Sequence, residues 1–295
     1  MNAPVGPVRV ALDAWRWHFQ HGPIDLVLEA WGEDEAVHAG YERAWQRFEC
    51  VLVELVAELP ILRSPVERAF AATGTVARRM VAACRPYSPV FITPMAAVAG
   101  AVADEVLAAL VSGRGVRKAY VNNGGDIALH VDTGEVLRVG IAIDPARAMR
   151  HGHGFALDGS FEVDSRLPVR GVATSGWRGR SWSLGIADSV TVLAGSGAAA
   201  DAAATLIANA VDVEHPGVKR AVAAEVDDNT DLGSQLVTVE VGELPETAVA
   251  TALDRGAAVA GEFVRQGLIW GALLTLQRAH RVAGGNDRPL FARAR

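Results

Sequence analysis

The chain has 295 residues, of which 50% are hydrophobic, so it is long enough to bury a sizeable core. Its 28 basic and 34 acidic residues give a formal net charge of -6 without a dense Lys/Arg stripe, which argues against a nucleic-acid partner. Segment 95–111, rich in apolar residues, is interrupted by acidic residues and is shorter than the roughly 20 residues that span a bilayer, and no export signal is visible, so we expect a cytoplasmic protein without a membrane partner.

The N-terminal region is predicted to contain a hairpin followed by a long helix. Val8–Phe19 and Ile24–Trp31 are strand-like runs joined by His21-Gly22-Pro23, a sequence typical of turns. Glu33-Asp34-Glu35 begins a helix whose apolar residues recur in steps of three and four, and Pro60 ends it. We expect this helix to serve mainly as scaffold.

Two further helices are predicted to begin at Ser-Pro and Thr-Pro sequences. Ser64-Pro65-Val66-Glu67 combines a capping Ser, a Pro at the first helical position and a Glu that can bond back to the backbone. Thr93-Pro94 repeats this pattern before Met95–Leu110, whose many alanines indicate close contact of the helix backbone with a sheet or a ligand. Cys50 and Cys84 lie in amphipathic segments without metal or redox spacing, so we expect both in the core.

From Lys118 onward the sequence is typical of short antiparallel strands separated by Gly-rich turns. Strands are predicted at Ala119–Asn122, Ile127–Val131, Glu135–Ile143, Phe161–Val163, Val169–Ala173, Ser189–Ala194, Leu236–Val241 and Leu268–Leu276. Ser196 is a good cap for the helix that follows it, and Glu246–Gln266 forms the last predicted helix. Strands and helices without regular alternation predict an α+β fold with antiparallel sheets packed against helices.

The helix after Ser196 carries a candidate metal site. Asp201 and Thr205 lie one helical turn apart, so both oxygen side chains face the same way among small residues. Mg²⁺ or Ca²⁺ prefers such oxygen ligands. A structural reading stays open, because an Asp in a first turn favours the helix dipole and a Thr can bond to a carbonyl of its own helix.

Two Gly-containing corners are candidate sites for an anionic ligand. Asn122-Asn123-Gly124-Gly125-Asp126 lies between two strands, where glycines with positive φ leave amide groups unshielded, although ordinary hairpin chemistry explains the same residues. Thr174-Ser175-Gly176 follows another strand and could present hydroxyls to a phosphate or form a plain polar turn. His151 and His153 lack a nearby third ligand, so we do not expect a metal pair there.

Taken in order, the segments Asn123–Ile127, Val139–Ile141 with Asp144-Pro145, Thr174–Gly176, and Ser189–Val192 followed by Ala200–Thr205 resemble the ApbE-like flavin transferase superfamily. The resemblance covers roughly residues 120–211, more weakly 94–100, and implies a single ApbE-like domain over 1–295 with its motif-bearing core at about 90–212. It implies that Asp201 and Thr205 hold a divalent cation, usually Mg²⁺. It also implies that FAD lies against a pocket formed by Asn123, Gly124, Gly125, Asp126, Thr174, Ser175 and Gly176.

One segment departs from the superfamily pattern. Active flavin transferases carry His-x-x-Asp-Pro-x-Thr-Gly between the Thr-Ser-Gly corner and the next strand, and this chain has residues 181–188 there, without the His, Pro and Thr. Ser183 and Asp188 are the most obvious polar residues of this segment, and with Asp126 they are the candidate catalytic residues. The lipoprotein Cys is also missing. The chain therefore looks like a member of the short, cytoplasmic, largely uncharacterised branch of the superfamily, and FMN transfer to a protein is not expected.

Three functions are compatible with this sequence. The first is a cation-dependent enzyme acting on FAD or a similar pyrophosphate nucleotide. The second is an enzyme acting on a non-flavin heteroaromatic cofactor, such as a pterin in one-carbon metabolism. The third is a non-catalytic binding or assembly protein, in which Asp188 and Ser183 would be dispensable. The small-residue helices and an apolar closing strand are also compatible with a homodimer.

Overall fold

The computed structural model describes residues 6–68, 71–141, 159–285 and 292–293. The strands are β1 Val8–Ala11, β2 Arg16–His21, β3 Ile24–Gly32, β4 Val116–Asn123, β5 Asp126–Val131, β6 Val136–Ile141, β7 Gly159–Asp164, β8 Gly171–Ser175, β9 Ser189–Ala194, β10 Val218–Val222, β11 Leu236–Val241, β12 Gly271–Leu276, β13 Ala279–Gly284 and β14 Ala292–Arg293. The α-helices are α1 Asp34–Ala57, α2 Leu59–Leu62, α3 Thr75–Cys84, α4 Val98–Leu110, α5 Gly197–Ala210, α6 Ala223–Val226 and α7 Glu246–Arg265.

A nine-stranded sheet in the order β1-β2-β3-β4-β5-β8-β9-β12-β13 forms the centre of the fold, and its neighbouring strands are antiparallel. One face of the sheet packs against the helices through a large apolar core. The other face packs against the small sheet β14-β7-β6 through a second apolar cluster. Successive side chains of a strand point to opposite faces, so β9 contributes Val190 and Val192 to the first core and Leu193 to the second. The predicted α+β class with antiparallel sheets packed against helices is confirmed.

The alanine-rich helix α4 crosses α5 at two glycines. A Cβ atom at Gly100 would lie 2.2 Å from the carbonyl oxygen of Gly197, and one at Gly197 would lie 2.9 Å from the carbonyl oxygen of Gly100. The small residues therefore permit close backbone contact, as the sequence predicted, but the partner at this crossing is another helix. This crossing brings the start of α4 beside the α5 residues that were predicted to bind a cation.

Several predicted elements were wrong in extent or type. Val8–Phe19 is two strands rather than one, because the Asp13 carboxylate accepts hydrogen bonds from the N–H groups of Trp15 and Arg16 and closes a turn between them. The helix predicted at Ser64 is a single 3-10 turn, Val66–Arg68. Ser64 donates its hydroxyl to the carbonyl of Ile61, so it ends α2 instead of capping a new helix.

Other differences concern the start of α4, the number of strands and the exposure of the cysteines. Pro94–Ala97 forms a 3-10 turn that precedes α4. The predicted closing strand is β12, which is followed by β13, and β10 was not predicted. Cys84 is buried as expected, whereas Cys50 is exposed on α1.

In the part of the chain that the structure describes, no helix has both the length and the apolar character needed to cross a membrane.

Ser196 caps α5 as predicted, and its substitution tests that role. Its Oγ accepts a hydrogen bond from the N–H of Ala199 at 3.1 Å. Ser196→Ala should lower the free energy of unfolding by about 1 kcal/mol, measured by urea denaturation, because an N–H group loses its partner. Ser196→Thr keeps a capping hydroxyl and should lose less. An unchanged free energy in Ser196→Ala would contradict the capping role.

Candidate functional site

The glycine corner between β4 and β5 forms a tight hairpin turn. Gly124 and Gly125 have φ values of +64° and +115°, a backbone region that favours glycine. Asn122 closes the turn, since its Oδ1 accepts the N–H of Gly125 at 2.8 Å. Asn123 is buried and donates its side-chain N–H to the carbonyl of Ala99 at 3.1 Å. The turn is thereby fastened to the residue that precedes Gly100 in α4.

The pairing between strands β5 and β8 ends beside this corner. The two strands are paired at Ile127↔Val172 and Ala128↔Gly171, and β5 begins at Asp126, directly after the glycine turn. The Asp126 carboxylate accepts the N–H of Thr174 at 3.2 Å. The Gly-Gly-Asp and Thr-Ser-Gly corners, which are far apart in sequence, therefore meet directly.

Asp201 of α5 faces the same place. Its Oδ2 accepts the N–H of Gly100 at 3.0 Å. Burial raises the pKa of Asp201 well above its usual value, and the nearby carboxylates of Asp126 and Asp104 add to the rise, while backbone N–H groups oppose it. Burial also raises the pKa of Asp126 to about 7, opposed by the Thr174 N–H. Two acidic groups thus lie close together in a poorly solvated place.

Neither carboxylate has a basic partner. Among the described residues, no Lys, Arg or His forms an ion pair with Asp126 or Asp201. Thr205 lies one turn further along α5, and its hydroxyl has no hydrogen-bond partner in the described part of the chain. The local charge is therefore left unbalanced by the surrounding protein.

The structure gives Asp201 another contact than the helix dipole, since Asp201 is bonded to the N–H of Gly100 in α4. A carboxylate benefits most from the helix dipole in the first turn of a helix, and Asp201 is the fifth residue of α5, beyond that turn. Asp104 fills that role instead, because its two oxygens accept the N–H groups of Gly197 and Ala198 at 2.8 and 2.9 Å. The N-terminus of α5 is consequently occupied by a carboxylate and is not available to a phosphate.

These residues line one cleft of about 2200 Å³. The predicted site residues that line it are Asn123, Gly124, Gly125, Asp126, Thr174, Ser175, Gly176, Asp188, Asp201 and Thr205. No group of three or more His, Cys, Asp or Glu side chains suited to a metal ion occurs within the described residues. A cation here would therefore complete its coordination with hydroxyl, backbone, water or ligand oxygens.

Ser183 and Asp188, the other two candidate catalytic residues, have structural partners. Asp188 lines the cleft, and its Oδ1 accepts Trp177 Nε1 at 3.3 Å and Arg178 Nε at 3.1 Å. Ser183 is buried outside the cleft lining, and its hydroxyl donates to Asn209 Oδ1 at 3.2 Å. Both side chains hold the loop between β8 and β9 in place. A direct catalytic role for Ser183 has no support from this geometry.

Sequence reasoning missed four cleft residues. Arg178 and Arg180 lie on the loop after the Thr-Ser-Gly corner, and Phe91 and Trp182 expose 37% and 36% of their surface at the cleft. Two arginines flanking Gly179 directly after a Thr-Ser-Gly corner were a usable signal. Nothing in the sequence indicated Phe91 and Trp182, since only the fold shows that these aromatic side chains are exposed. Asp144-Pro145, His151 and His153 lie outside the described residues.

Comparison with known proteins places the chain in a family. A UPF0280 protein of Methanopyrus kandleri is 36% identical over 166 residues, which cover 56% of this chain and 61% of that protein. A UPF0280 protein of Methanosphaerula palustris is 34% identical over 177 residues, covering 58% and 68%. A UPF0280 protein of Methanococcoides burtonii is 37% identical over 147 residues, and the alignment covers 56% of that protein, so the chain spans little more than half the length of some of these relatives.

A distant structural likeness and a family match complete the comparison. The crystal structure of the apo form of Pseudomonas stutzeri flavinyl transferase ApbE is 13% identical, with a TM-score of 0.43 over 94% of this chain and 98% of that one. The family model described as AbpE bacteria matches residues 9–285. That match spans nearly the whole chain and confirms the ApbE-like resemblance inferred from the motifs. The chain belongs to the AbpE bacteria family.

Proposed function

We propose that this protein is a divalent-cation-dependent enzyme that binds FAD or a related pyrophosphate nucleotide. The observation that carries the proposal is the pair of poorly solvated carboxylates, Asp126 and Asp201, that face one cleft without a basic partner among the described residues. Their mutual repulsion would be relieved by a cation, and their oxygens are the donors that Mg²⁺ and Ca²⁺ prefer. The donor chemistry therefore fits the proposed ion.

Each side of the cleft has a distinct role in this proposal. Asp201 and Thr205 would hold the cation, which when bound supplies positive charge against a pyrophosphate. Asp126 orients the bound nucleotide and is itself held by the Thr174 N–H. Ser175, Gly176 and the glycine turn at 124 and 125 would provide the polar wall for the phosphates.

A flat ring system is the second element of the ligand. Phe91 and Trp182 each expose more than a third of their surface at the cleft, and aromatic faces stack on heteroaromatic rings. These aromatic faces can stack on the isoalloxazine ring of a flavin and equally well on a pterin-like ring. An enzyme that acts on a non-flavin heteroaromatic cofactor is therefore the second candidate. FMN transfer to a protein is not part of the proposal, because residues 181–188 lack the His, Pro and Thr of active transferases and serve as structural ties.

A titration tests the proposal. Purified protein is titrated with FAD in the presence of Mg²⁺ and again in the presence of a chelator, and binding is followed by flavin fluorescence. We expect Mg²⁺ to lower the Kd for FAD about tenfold or more, because a cation held by Asp201 and Thr205 would supply positive charge against the phosphates. A colourless protein that does not bind FAD under either condition would contradict the proposal and favour the pterin-like or the non-catalytic reading.

A further inference from the structure

The loop between β8 and β9 places an arginine across the glycine corner. Arg180 Nη2 donates to the carbonyl of Pro23 in the β2–β3 turn at 3.0 Å. Its Nη1 lies 3.2 Å from the position that a Cβ atom would occupy at Gly124. The guanidinium therefore lies beside the Gly124 backbone and connects the β2–β3 turn with the Gly124-Gly125 turn at the cleft.

The charge of Arg180 is not neutralised by this arrangement. Its neighbour Arg178 is paired with Asp188 at 3.1 Å and lies over the Trp177 ring at 4.9 Å. Arg180 has no carboxylate within ion-pair distance among the described residues, and its fixed contact is a neutral carbonyl. Such a contact orients the planar guanidinium and leaves most of its five N–H donors and its full charge available.

The position of this charge complements the rest of the cleft. Asp126 and Asp201 place negative charge on one side, and Arg180 places positive charge at the mouth of the Gly124-Gly125 turn. A guanidinium recognises phosphate through two parallel N–H contacts, a geometry that an ammonium cannot copy. A phosphate lying along the glycine turn would thus have Arg180 as a second positively charged partner besides the proposed cation.

We propose that Arg180 is the residue that selects phosphorylated ligands, by binding a phosphate of the nucleotide at the Gly124-Gly125 corner. This inference rests on the proposed function and adds the substrate class: a ring compound carrying a phosphate or diphosphate, as opposed to its unphosphorylated nucleoside-like form. Gly124 contributes by lacking a side chain, since a Cβ atom there would press against the guanidinium.

The test compares FAD with riboflavin, which keeps the ring and lacks the phosphates. We expect Arg180→Gln to raise the Kd for FAD in Mg²⁺ about tenfold and to leave the Kd for riboflavin unchanged, as one bidentate phosphate contact is lost. Arg180→Lys should recover only part of the affinity. The FAD affinity of Arg180→Gln should also depend less on ionic strength than that of the wild type. Arg138→Gln, which removes an exposed arginine of the small sheet, is the control for net charge.

The possible failures can be told apart with inorganic pyrophosphate as a third probe. If wild-type protein binds neither FAD nor pyrophosphate in Mg²⁺, both the proposed function and this inference are overturned. If wild-type protein binds FAD and Arg180→Gln binds it equally well, only the role of Arg180 is overturned. Equal losses of FAD and riboflavin affinity would also overturn it, because they would show a general effect on the cleft.

Discussion

Asp201→Asn should abolish the effect of Mg²⁺ on FAD binding and leave the fold intact. The amide keeps an oxygen that can accept the N–H of Gly100, so the contact between α4 and α5 at 3.0 Å is preserved. The substitution removes the charge that would bind the cation. Losing one carboxylate ligand of a divalent cation in a poorly solvated place should raise the Kd measured in Mg²⁺ about tenfold or more, to the value measured with a chelator.

The measurement needs variants that separate charge from packing. FAD affinity and thermal stability are measured for Asp201→Asn, Thr205→Val and Thr205→Ser, each with and without Mg²⁺. Thr205→Val should weaken the Mg²⁺ effect and Thr205→Ser should keep it, because only the serine retains a hydroxyl ligand. Asp132→Asn removes an exposed carboxylate from a turn and serves as the control. If Mg²⁺ strengthens FAD binding as much in Asp201→Asn as in the wild type, Asp201 is not the cation ligand.

The parts of the site that could be predicted from sequence are those encoded within one or two turns of chain. The cap at Ser196, the bounds of β9 and the common face of Asp201 and Thr205 depend on neighbours a few residues away. The Gly124-Gly125 turn was readable for the same reason. Local signals also misled where a distant or competing contact decided the outcome, as when the Ser64 hydroxyl bonded to Ile61.

The parts that could not be predicted depend on contacts between remote segments. Asp104 appeared in the sequence only as an interruption of an apolar run, yet it caps α5, 93 residues later. Arg180 meets Pro23 across 157 residues. The carboxylates Asp126 and Asp201 acquire their raised pKa values because folding buries them near each other, where the end of the β5–β8 pairing meets α5. No residue pattern in a single segment encodes this arrangement.

Asp126→Asn should stabilise the fold at pH 8 in the absence of a divalent cation. Burial raises the pKa of Asp126 to about 7 from its ordinary value of 3.8, so the folded state binds a proton more tightly than the unfolded state does. The free energy of unfolding of the wild type should therefore fall as the pH rises from about 4 to about 7, and remain low above that. The amide has no charge to bury and keeps an acceptor for the Thr174 N–H.

The size and the reversal of this effect can be measured by urea denaturation across pH. One pKa unit corresponds to about 1.4 kcal/mol, which sets an upper bound of about 4 kcal/mol, and we expect about 2 kcal/mol because the side chain is partly open to the cleft. The difference between Asp126→Asn and the wild type should vanish near pH 4.

Mg²⁺ should raise the free energy of unfolding that the buried charges of Asp126 and Asp201 lower. At pH 8 the cation should stabilise the wild type by relieving the repulsion between Asp126 and Asp201, and near pH 5 protons should replace it and the stabilisation should be lost. Asp126→Asn should gain much less from Mg²⁺ at pH 8, since the repulsion is already gone. A wild-type protein that Mg²⁺ stabilises equally at both pH values would show that its cation is bound elsewhere than beside these two carboxylates.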